Sequence, residues 1–124
     1  MRKTTLIIDD SSRKMATVLK ALGKQPLLTC STPEEARQIL QEQGQNILLA
    51  VIDNHMMQKD GTFDFFATEL ATLAKDQGIP HRIIYTAGHT EEAWKGLAAV
   101  RVAKNPHSDH EYFVDKFMEI FPQI

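Results

Sequence analysis

Four apolar runs in this chain end on residues able to do chemistry. Leu6-Ile7-Ile8 stops on Asp9 and Asp10, Ile47-Leu-Leu-Ala-Val-Ile52 stops on Asp53, Arg82-Ile-Ile-Tyr85 leads to Thr86, and Val100-Arg-Val-Ala103 leads to Lys104. If these runs are strands whose ends meet at one rim, three carboxylates converge there and repel one another, so the site calls for a cation. Mg²⁺ is the natural occupant, because it takes a few carboxylates together with waters and phosphate oxygens. A carboxylate held beside that metal can attack a phosphoryl donor and form an acyl phosphate, which makes Asp53 a phosphoryl acceptor. Lys104 would neutralise the phosphoryl oxygens as a point charge, and the Thr86 hydroxyl would donate to another of them. Taken singly, Asp9 and Asp10 could merely complement a helix dipole, and Lys104 could be a solvated charge. Only the set together specifies phosphoryl chemistry.

The elements that must position this set follow from the pattern. Six apolar residues without alternation, Ile47 to Ile52, suit a strand buried on both faces of a parallel sheet. After the first strand, Ser11 and Ser12 are cap types, Met15, Val18, Leu19 and Leu22 share one helical face, and Gly23 supplies a stop. Pro26 to Cys30 reads as the second strand. Thr32-Pro33-Glu34-Glu35 combines a cap, a proline at the first helical position and a capping-box Glu, opening a second helix that stops near Gly44. Asn54 to Thr62 reads as a polar loop closed by the turn signal Asp60-Gly61. Phe66, Leu70, Leu73 and Ala74 give the third helix its buried stripe, ended by Gly78 and Pro80. Thr90-Glu91-Glu92 caps a short fourth helix holding Trp94 and Leu97, and Ser108-Asp-His-Glu111 opens a fifth with Phe113, Val114, Phe117, Met118 and Phe121. Five strands alternating with five helices predict a flavodoxin-like, doubly wound (βα)5 sandwich. Its five-stranded parallel sheet has the order 2-1-3-4-5, with a ligand crevice between strands 1 and 3.

Bulk properties narrow the function. The 124 residues, 43% of them hydrophobic, fit one domain spanning residues 1–124. With 14 basic and 16 acidic residues and no long run of like charge, no nucleic-acid footprint is expected. Nothing approaches a membrane span, and the apolar run near Met1 stops at Asp9, too soon for a secretory signal. Cys30, the one cysteine, fits a reducing compartment, so the expected location is the cytoplasm.

Ile7-Ile8-Asp9-Asp10, Val51-Ile52-Asp53, Tyr85-Thr86-Ala87 and Lys104-Asn105-Pro106 resemble the signature blocks of response-regulator receiver domains, over the whole chain. The resemblance implies that Asp53 is phosphorylated from a phosphohistidine of a histidine kinase or phosphotransfer protein. It also implies that Asp9, Asp10 and Asp53 hold Mg²⁺ with the His55 backbone carbonyl, and that Thr86 and Lys104 read the phosphoryl group. His55 and Gly88 would tune hydrolysis of the acyl phosphate. A downstream protein would bind the face formed by the fourth helix, fifth strand and fifth helix, with a homodimer also allowed. Beyond self-phosphorylation and slow autodephosphorylation, no enzymatic turnover is implied.

The departures from the family pattern are local. Met57 stands where proline is usual, Asn105 separates Lys104 from Pro106, and Arg101 occupies the aromatic switch position. The stretch from Thr86 to Lys104 is shorter than usual by about four residues, one helical turn. These changes motivate one alternative, a phosphorylation-silent receiver-like module for docking or dimerisation. A second, a Mg-dependent phosphohydrolase of haloacid-dehalogenase type, needs an acid two residues after its nucleophile, where this chain has His55. His55, His89 and His107 share no tight spacing that would define a transition-metal site.

Overall fold

A computed structural model describes residues 2–9, 26–86 and 90–102. Asp10, Lys104, His89, Gly88, His107 and the first and fifth predicted helices lie outside the described residues.

The central sheet is built from β1 (Thr4–Ile8), β2 (Leu27–Cys30), β3 (Ile47–Asp53), β6 (His81–Thr86) and β7 (Ala99–Val102). Their order is β2-β1-β3-β6-β7, and every neighbouring pair is parallel. This is the expected 2-1-3-4-5 order once the two strands of a separate hairpin, β4 (His55–Met57) and β5 (Phe63–Phe65), are set aside. The unalternating apolar run of β3 is buried on both faces. Ala50 and Ile52 join Leu6, Ile8 and Ile84 in the main core cluster. The register trio Ile7, Val51 and Ile83 is equally buried on the other face.

Two helices cover the first of these faces. In α1 (Pro33–Gln43), Pro33, Ala36 and Leu40 recur at helical spacing and are buried. Thr32, in extended conformation, caps the helix: its hydroxyl oxygen accepts from Glu35 N at 3.2 Å and donates to Glu35 Oε1 at 3.0 Å. The predicted cap is therefore present, with the Glu35 carboxylate bonded to the hydroxyl. The helix tightens into a 3-10 turn at Gly44–Asn46, where a Cβ on Gly44 would meet Gln77 at 3.0 Å.

Helix α2 (Ala67–Asp76) buries Ala67, Leu70, Ala71 and Ala74. It ends in a Schellman motif, in which Ile79 N donates to Ala74 O at 3.1 Å and Gly78 N to Lys75 O at 2.9 Å, with Gly78 left-handed at φ 79. Arg2 ties the two helix ends together by donating to Gly44 O, Ile47 O and Gln77 O at 2.6, 3.2 and 3.1 Å.

Two expectations are corrected. The stretch from Asn54 to Thr62 is not simply a loop, because β4 pairs antiparallel with β5 and only the turn between them is irregular. Met56 points into the core while Met57 and Phe65 face outward, an alternation too short to register as strand in the sequence. At the tip, Asp60 Oδ1 accepts from Thr62 N and Thr62 Oγ1, and these bonds draw the exposed Asp60 carboxyl below its usual range.

The predicted fourth helix is a single 3-10 turn, Glu92–Trp94, preceded by Glu91 with no side-chain cap. Leu97 lies beyond it, and Gly96 turns the chain at φ 86 toward β7. The left-handed Gly96 redirects the chain two residues after Trp94, which ends the turn before an α-helix can propagate.

Candidate functional site

Parallel pairing brings the ends of β1, β3 and β6 to one rim. Ile8 is in register with Ile52, so Asp9, one residue further, stands level with Asp53 on the adjacent strand, about 4.8 Å away in the hydrogen-bonding direction. Asp53 is in turn paired with Tyr85, which puts Thr86 one residue past Asp53, beside Val102 of β7. Asp9 is anchored on its other side, donating its N–H to Cys30 O at 3.0 Å.

All three of these side chains are sequestered, with exposures of 1% for Asp9, 9% for Asp53 and 6% for Thr86. Both carboxylates are thus withdrawn from water on neighbouring strands, a setting in which a nearby cation favours their charged form. The donor set is all oxygen and hard, so it fits Mg²⁺ and not a thiophilic metal. Among the described residues no group of three metal-ligating side chains assembles, since Asp10, the third predicted carboxylate, is not among them.

The direction of the His55 backbone follows from the hairpin ladder. Phe66 N donates to Asn54 O, and Gln58 N to Thr62 O, so those pairs carry ladder bonds. By antiparallel alternation the intervening His55–Phe65 pair does not, and the His55 carbonyl is directed away from β5. It is therefore left for another partner.

The structure adds one residue near the site, Asn54, and new contacts for Glu34 and Trp94. Asn54, 2% exposed, directly follows Asp53, and its Oδ1 is buried without a hydrogen-bond partner. Only its adjacency to Asp53 could have signalled it. Glu34 reaches the hairpin tip, where its Oε2 accepts from Lys59 N at 3.1 Å. Trp94 is fully buried and donates from Nε1 to Thr68 Oγ1 at 2.9 Å, joining the turn after β6 to the first turn of α2. Burial, with Glu35 contributing second, pushes the Cys30 thiol up to about 12, which disfavours the nucleophilic thiolate at neutral pH.

In a doubly wound sheet, ligands bind in the crevice beyond the strand ends at the switch point, which here is where Asp9 and Asp53 lie. No protein-family model and no curated protein matches this chain. Solved structures do. A response-regulator receiver domain protein (CheY-like) from Methanospirillum hungatei superposes with a TM-score of 0.65 at 21% identity, covering 96% of each chain. The signal receiver domain of a putative LuxO repressor protein from Vibrio parahaemolyticus gives 0.59 at 16% identity, over 94% of this chain and 89% of that one. The beryllofluoride-activated receiver domain of DrrB gives 0.57 at 20% identity, over 96% and 99%. The chain has the fold of response-regulator receiver domains.

Proposed function

We propose that this protein is a phosphoacceptor receiver whose nucleophile is Asp53. The observation that carries the reading is the level pairing of two buried carboxylates, Asp9 and Asp53, at the ends of neighbouring parallel strands in a receiver fold. Asp9, Asp10, Asp53 and the His55 carbonyl would hold Mg²⁺, which supplies charge neutralisation for the incoming phosphoryl oxygens. An Asp53 carboxylate oxygen attacks phosphorus of a phosphohistidine on a sensor kinase or phosphotransfer protein. The N–P bond breaks, its electron pair stays with the imidazole, and an acyl phosphate remains. Thr86 donates its hydroxyl proton to one phosphoryl oxygen, and Lys104 balances the charge of another.

The modified protein then signals through changed affinity for a protein partner, with the turn at Glu92–Trp94, β7 and the chain after it as the contact face, and with self-association as one form of that contact. A haloacid-dehalogenase-type hydrolase is not favoured, because the position two residues after Asp53 is His55 and the structural neighbours are receivers.

Incubation with phosphoramidate and Mg²⁺ followed by intact-mass measurement tests the reading. The expected result is one phosphoryl adduct, not formed when Mg²⁺ is chelated before phosphoramidate is added and absent in Asp53→Asn. An adduct that persists in Asp53→Asn, or none in the unaltered protein, overturns it.

A further inference from the structure

We propose that phosphorylation of Asp53 is transmitted to the 92–94 turn through α2, by way of the Thr68–Trp94 hydrogen bond. The inference rests on the acceptor reading above and names its route of output. Asn54, next to the acceptor, gives its carbonyl to Phe66 N at 2.9 Å, and Phe66 is the N-cap residue of α2. Two residues on, Thr68 Oγ1 receives the Trp94 indole N–H at 2.9 Å. The segments leaving two of the site residues, Asp53 on β3 and Thr86 on β6, are thereby fastened to each other at one bond between buried or half-buried groups.

Three features make this junction a place where two arrangements can exchange. Asn54 Oδ1 is buried and has no hydrogen-bond partner, so a small rotation that brings it a donor is favourable. Phe66 gives α2 no side-chain cap, so the first-turn amides of α2 are donors of the kind Asn54 lacks. The Glu92–Trp94 turn has no side-chain cap either and meets α2 through the fully buried indole. A movement of Asn54 on phosphorylation alters its bond to Phe66, shifts the first turn of α2, and changes what Thr68 presents to Trp94. Arg101 lies on β7, in register with Tyr85, and this route does not pass through it.

Trp94 is the only tryptophan in the chain, so its signals report on this junction directly. The full chain is titrated with beryllofluoride and Mg²⁺ while tryptophan emission and the indole N–H resonance are followed. Adduct formation is measured in parallel by intact mass after phosphoramidate treatment. The expected result is a shift of both Trp94 signals in the unaltered protein and in Thr68→Ser. In Thr68→Val, which keeps the shape but loses the hydroxyl, the response should fall by at least half although the adduct forms as before. Trp94 signals that stay unchanged while the adduct forms overturn the route and leave the acceptor reading intact, as does a Thr68→Val variant responding like the unaltered protein. Absence of any adduct removes the acceptor reading and this inference with it.

Discussion

Cys30 and Asp9 share a backbone hydrogen bond at the rim, yet their side chains serve opposite ends. The thiol is buried among apolar neighbours, and its ionised form is penalised first by desolvation and second by the Glu35 charge. Its folded-state value is raised from 9.0 to about 12, so the thiol's contribution to stability is full below pH 9 and is lost as pH rises through that window. Alkylation by a small maleimide at neutral pH should therefore be slow in the native protein and fast in urea. Rapid native labelling would show that Cys30 is more accessible than its 3% exposure indicates. The carboxylates of Asp9 and Asp53 were legible in the sequence because each ends an apolar run. Asn54 was not, because an asparagine after a strand is what any turn would use, and only the packing reveals that its Oδ1 is buried without a partner.

Among the elements, the legibility of the two described helices and of the short pieces differs for a physical reason. Thr32, Pro33 and Glu35 mark the start of α1 by local hydrogen bonding, and Gly78 marks the end of α2 by its backbone conformation, so residues close in sequence carry the information. The β4–β5 hairpin depends on pairing across the turn between three-residue strands, and so short a run has no readable period. Thr90-Glu91-Glu92 imitates a cap, but the chain that follows makes only one 3-10 turn before Gly96 redirects it. Arg2 was equally silent, since its three acceptors lie 42 to 75 residues away. Removing it leaves the carbonyl ends of both helices without a charged donor. Arg2→Ala should lower stability by about 1.5–3 kcal/mol, the usual value of hydrogen bonds to a charged group. Urea unfolding checks this: the midpoint should fall while the slope stays unchanged, and a variant within error of the unaltered protein would show the clasp to be energetically idle.

At the scale of the molecule, β1, β3 and β6 are flanked on both sides, with β3 at the centre, while β4 and β5 form their own small sheet at the edge of the site. Native-state hydrogen exchange should follow that layout. The slowest amides should be in Ile7, Ala50, Val51, Ile52 and Ile84, and those of β4, β5 and the Glu92–Trp94 turn should exchange through local opening at much lower cost. Uniform protection across the hairpin and the sheet would contradict it. The order of the sheet could be read from the sequence because strand and helix patterns alternate and handedness then leaves few topologies. The hairpin inserted after Asp53 changes none of that.

That hairpin has a practical use. The hairpin tip projects into open space: a Cβ built on Gly61 meets nothing within 4 Å, although its φ of 89 keeps that position for glycine, and Lys59 and Asp60 are exposed. The strand that carries Asp53 runs into the first strand of this hairpin with only Asn54 between them. A circularly permuted fluorescent protein grafted between Asp60 and Gly61 would sit a few residues from the acceptor without entering the core. The hairpin is a ready seat for a genetically encoded reporter of the acyl phosphate.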